Sequence, residues 1–120
     1  MATLLAPPIA ALSLILAYAA SEEDRTEVAK QYMACLLVQA EQLDDGASDA
    51  VAIAHGITPG CQHELVVVKQ VYSLGLSLQA ASMLNDRIDA SQLDQATRAV
   101  LTVRSTRRSK QAPPAEQPSH

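Results

Sequence analysis

Phenylalanine and tryptophan are absent from this chain, and tyrosine occurs only three times. A core without large aromatics has to be built from Ala, Leu, Val, Ile and Met. Ala and Leu are the strongest helix formers, so the shortage points toward helices. It points away from a β-sandwich, which relies on β-branched and aromatic alternation. It also leaves no stacking platform for nucleic-acid bases. Glycine is scarce, at four residues, and none forms GxGxxG or a phosphate loop. There is no CxxC, HExxH or GxSxG, and no cysteine has a neighbouring histidine in a recognisable catalytic motif.

Two weaker patterns fail on closer reading. In Asp44-Asp45-Gly46-Ala47-Ser48-Asp49, placing Gly46 at the sixth position of a calcium loop puts Glu41, Leu43 and Ala52 at the first, third and twelfth. A calcium loop needs oxygen ligands there. A helix stop followed by an N-cap explains the same residues. Cys61 and His63 are two apart, so on a helix they diverge by about 200° and do not chelate together. His55 reads as a helix-end residue and His63 as a surface one. The sequence therefore offers no catalytic residue, no metal ligand set and no cofactor site.

With 120 residues, 48% of them hydrophobic, the chain suits one packed domain. Charge is unevenly spread. The stretch from Glu22 to Asp94 carries 12 of the 13 acids against four bases, about −8, whereas five bases from Arg98 onward face only Glu116, about +4. An acidic body repels phosphate, so no nucleic-acid partner is expected.

No charged side chain occurs from Ala2 to Ser21. The short apolar run Ile9 to Ala17 leads into Ala17-Tyr18-Ala19, which fits a small-x-small cleavage rule, and Glu22-Glu23-Asp24 follows. This order predicts a signal peptide over residues 1–19 and a periplasmic or secreted bacterial protein. The n-region lacks Lys and Arg, so an uncleaved inner-membrane anchor is the competing reading. Pro7 and Pro8 shorten the apolar helix below the ~20 residues needed to span.

Past that segment the patterning predicts a helical domain over residues 20–104, a small bundle of about four helices. Helix one runs from Ser21, its N-cap, to Leu43, with Val28, Tyr32, Cys35, Leu36 and Leu43 on one arc. Gly46 stops it. Ser48 caps a short second helix, about Asp49 to His55. Thr58-Pro59 opens helix three, about Pro59 to Leu84, which carries two apolar stripes. Leu65, Tyr72, Leu76 and Met83 form one, and Val67, Val71, Leu74 and Leu78 the other. A helix apolar on two sides is expected at the centre of a bundle. Asn85-Asp86 ends it, and helix four follows, about Ala90 to Arg104, with Leu93, Ala96, Val100 and Leu101 facing inward. Residues 105–120, basic and then Pro-rich, read as a disordered tail.

Cys35 and Cys61 are the only cysteines. An even count behind an export signal predicts a disulfide. Cys35 sits on the apolar arc of helix one, and Cys61 lies about 40° from the Leu65/Tyr72 stripe. If those stripes face each other, the sulfurs meet. Two buried free thiols in a cytosolic protein are the alternative.

Cys35-Leu36-Leu37, Leu43 to Ala50, Ile53-Ala54 and Cys61 form a C-x25-C frame around an LDDGxSDA segment. This pattern resembles uncharacterised small exported helical proteins of proteobacteria. The resemblance implies a helical domain with a cysteine frame and carries no activity. Periplasmic acid-stress chaperones share the architecture of a small disulfide-bonded helical domain, without their motifs.

The leading functional expectation is an exported helical interaction module that binds another protein or a second copy of itself. Val67, Val71, Leu74 and Leu78 are its candidate surface, because a short second helix cannot cover that whole stripe. An acid- or envelope-stress chaperone and a small enzyme with an unrecognised site are the alternatives. A membrane is a partner only if residues 1–19 stay attached.

Overall fold

The capping signals at Ser21, Asp49 and Ser77 divide the chain into its helical segments. We describe residues 20–111 of a computed structural model; the signal-peptide expectation and the Pro-rich residues 112–120 lie outside them. Helix α1 spans Glu22–Leu43. Its N-terminus is a capping box, in which the Asp24 amide donates to the Ser21 hydroxyl at 3.0 Å and the Asp24 carboxylate accepts from the Ser21 amide. Glu22, Glu23 and Asp24 in the first turn complement the helix dipole.

Gly46, at φ +76°, lets the chain leave α1. Asp45 then organises the loop by accepting from the Ala47 and Ser48 amides and from the Ser48 hydroxyl. Helix α2 (Ala50–Ile57) is capped by Asp49, which accepts from the Val51 and Ala52 amides. A 3-10 turn, η1 (Thr58–Cys61), with a proline in its opening positions, passes directly into α3 (Gln62–Ser73). Residues 50–73 therefore form one unbroken helical stretch. After the turn at Leu74–Ser77, α4 (Leu78–Gln111) runs for 34 residues.

Three helical segments thus make up the described fold, all of it without strands. The middle segment runs antiparallel to α1: Cys61 bonds Cys35, and at the far end the Tyr72 hydroxyl donates to the Arg25 carbonyl at 3.4 Å. Helix α4 returns along both. Gln62 meets Gln92, Lys69 pairs with Asp89, and the Ser73 hydroxyl donates to Asn85 at 3.3 Å.

The core lies where these segments meet. Helix α1 contributes Tyr32, Leu36 and Ala40 at a spacing of four, the middle segment Ala54, Ile57, Cys61, Leu65 and Val68, and α4 Ala96, Ala99, Val100 and Val103. The alanines let backbones approach closely, which replaces the missing aromatics with tight helix contact.

Several expectations need correction. Helix three does not run from Pro59 to Leu84. It stops at Ser73, because Leu74 is extended (φ −61°, ψ 132°) and Gly75 takes φ +82°. Asn85-Asp86 breaks nothing and lies inside α4. The second helix runs past His55 through Ile57, and Asp49 rather than Ser48 caps it. No single helix occupies the centre. The two stripes split across the turn, so Leu76 and Met83 are 42% and 58% exposed while Leu65 is buried. Leu43 and Leu101 point outward, and Ala99 and Val103 take the inward places on α4. Residues 105–111, expected in a tail, continue α4.

Candidate functional site

The α3–α4 turn concentrates exposed apolar side chains. Leu74 is 43% exposed, Leu76 42% and Leu78 92%, and Met83 follows one turn along α4. Their placement has a local cause. Gly75 ends α3 with a left-handed residue, and two residues later the Ser77 hydroxyl accepts from the Ala80 amide and caps α4. The turn is thus fixed by polar backbone chemistry, while the leucines around it keep much of their apolar surface exposed. A shallow apolar hollow of about 210 Å³ lies beside it, lined by Ala80, Met83, Leu84 and the stem of Arg87.

Of the four surface candidates, Leu74 and Leu78 belong to this end. Val67 and Val71 lie higher on α3 and are half-buried. Sequence reasoning missed Leu76 and Met83, having set them on a buried stripe. The Gly-x-Ser order at Gly75-Leu76-Ser77, a helix stop followed by an N-cap, was the available signal.

The cysteines form the expected bond, with Cα atoms 5.9 Å apart. Among the described residues, one set of three metal-capable groups gathers: both sulfurs and a Glu64 carboxylate oxygen lie within 4.8 Å of one another. With the sulfurs joined to each other, the set offers no thiolate, and a single carboxylate does not make a metal site. His55 and His63 are both exposed and take no part in it.

A second recess of about 230 Å³ lies between α1, α3 and α4, with Ala29, Met33, Leu65 and Ile88 in its walls. Tyr32 and Tyr72 also line it. The Tyr32 hydroxyl is buried without a hydrogen-bond partner, and burial raises its pKa above the ordinary tyrosine value. No nucleophile and base pair there, and the arrangement supports no acid–base or covalent chemistry.

At the opposite end of the bundle, α4 clasps the α1–α2 loop. Arg104 donates to both carboxylate oxygens of Asp44 through Nε and Nη2, at 2.8 to 3.2 Å, and Nη2 also reaches the Ser48 carbonyl. Arg107 donates to Asp44 at 3.3 Å and to the Glu41 carbonyl at 2.9 Å. The Asp44 side chain is wholly buried, and the Arg104 guanidinium holds its carboxyl below the usual range. Arg107 thereby satisfies the open Glu41 carbonyl at the end of α1, which has no basic residue of its own in its last turn.

Among the described residues, no helix is long and apolar enough to cross a membrane. No family model, curated protein or solved structure matches the chain.

Proposed function

We propose that this protein is an exported helical interaction module, and that the apolar end formed by Leu74, Leu76, Leu78 and Met83 is its contact surface for another protein chain. One observation carries the reading: Leu78 is 92% exposed, with Leu74 and Leu76 exposed in the same turn and Met83 about one helical turn further on. Exposed apolar clusters on small domains mark contact sites, whereas isolated exposed leucines do not. The rigid framing of the turn by Gly75 and Ser77 supports this, because a preorganised surface loses little entropy on binding. The disulfide suits a periplasmic or secreted setting. A catalytic role has no support in the grouping of side chains.

The test is Leu78→Glu in residues 20–120. A carboxylate at the first residue of α4 suits the helix dipole, so the variant should melt at the wild-type temperature or slightly above. In extracts of the exporting cell the wild type should fractionate in a larger complex, and the variant should lose it. Unfolding of the variant would make Leu78 core, and an unchanged complex would remove the surface from the reading.

A further inference from the structure

The α3–α4 turn interrupts an apolar spacing that runs on across it in the sequence. Val67, Val71, Leu74, Leu78 and Ala81 follow one another at steps of four, three, four and three, the spacing of a single continuous helix face. In the structure the pattern is cut by one left-handed glycine, Gly75, and by the Ser77 cap.

The register of the hairpin leaves a second mark. Ser73, the last residue of α3, stands level with Asn85, and Lys69 with Asp89. Residues 78–84 of α4 therefore overhang the end of α3 by about 10 Å. Leu78 and Met83 are exposed there, beyond the last residue of α3.

We propose that α3 and α4 also exist as one continuous helix, and that in this form two copies of the chain exchange α4 to make a symmetric dimer. This rests on the reading of the apolar end as a contact surface, and it names a second copy of the chain as the occupant. Straightening the turn converts Leu74–Ser77 to helix and carries α4 away from its own α1–α3 body. Each α4 then packs on the other copy's body and re-forms there the interface it makes in the single chain: the Ala96, Ala99, Val100 and Val103 face, the Lys69–Asp89 pair, and the clasp of Arg104 and Arg107 on Asp44. The two long helices cross at their hinges in the register of the single chain, which brings Leu78 of each copy next to the two-fold axis and sets Leu74 level with Leu84 of the other. The dimer contact is thus continuous with the existing α3–α4 interface.

Covalent structure permits the exchange. The Cys35–Cys61 bond ties α1 to the start of the middle segment and leaves α4 attached only through the turn. Short turns that compete with helix continuation are the places where such exchange occurs.

Two measurements test the proposal. Gly75→Ala disfavours the left-handed turn and favours the continuous helix, so the dimer dissociation constant from light scattering after size separation should fall by about tenfold or more. The second uses the partly exposed Lys69–Asp89 pair, which lies outside the core. Lys69→Glu and Asp89→Lys each place like charges across the hairpin. Unfolded together and refolded at low salt, the two variants restore opposite charges at every contact only in an exchanged mixed dimer. Native mass spectrometry should show that dimer favoured about threefold or more over the statistical exchange constant. Statistical mixing, in a dimer still abolished by Leu78→Glu, would overturn the exchange while leaving the contact surface standing. A Gly75→Ala protein that stays monomeric at all concentrations would also overturn it.

Discussion

Arg104 holds Asp44 through both carboxylate oxygens, across 60 residues of chain, and so fixes the register between α4 and the end of α1. Asp44 has no exposed side-chain surface, and Arg107 completes its shell. Removing one partner of a buried pair leaves the other charge without compensation. Asp44→Asn should therefore lower the melting temperature by roughly 5–10 °C. Thermal unfolding followed by circular dichroism checks this.

The same loop sets the acid response. Hydrogen bonding to Arg104 lowers the Asp44 pKa, and bonds from Ser48 and Ala47 lower that of Asp45 to about 2. A carboxyl with a depressed folded-state pKa stabilises fully above its unfolded value near 3.9 and loses that contribution as pH falls through the folded value. Stability should thus hold steady from neutral pH to about 4 and decline below it. Asp44→Asn should flatten the decline, and urea unfolding across this range reads both. A wild type that loosens well above pH 4 would contradict the assignment.

Arg107, beyond Arg104, belongs to the fold. Arg107 donates to the Glu41 carbonyl and to Asp44. Deleting residues 105–120 should lower the melting temperature by roughly 3–6 °C, and deleting 112–120 should leave it unchanged. Scanning calorimetry of the two truncations distinguishes them.

Much of this was legible in residue order. Ser21 with acids behind it marked the start of α1, and Gly46 marked its end. Cys35 on the arc of α1 and Cys61 near the Leu65 stripe were placed to bond, as they do. The breaks that were misread share a cause. Asn85-Asp86 resembles a stop, yet Asn85 accepts a hydrogen bond from Ser73 and sits comfortably in α4. Gly75 resembles a tolerated helix glycine until Ser77 is read as a cap. Arg104 looks like a helix-end charge and Arg107 like a tail charge, because their partner, Asp44, lies some sixty residues away and no local pattern reports it. The apolar end was half visible: the Leu74/Leu78 stripe was identified, while Leu76 and Met83 were assigned to the core.

The disulfide closes a loop with a sequence separation of 26 residues. Loop entropy gives about 3.5 kcal/mol for a closure of that size. Cys35→Ala should lose stability of this order in chemical unfolding, and reduction of the wild type should have the same effect. Peptide mapping without reductant should recover the Cys35 and Cys61 peptides joined.

The contact surface itself is tested most directly by placing a photo-reactive amino acid at Leu78 and, separately, at Leu101. Leu101 is 51% exposed on α4, far from the turn. Irradiation in cells producing the protein should join the Leu78 position to one discrete protein, a second copy of this chain or another, and should give no such adduct from Leu101. No adduct from Leu78, or the same adducts from both positions, would contradict the account.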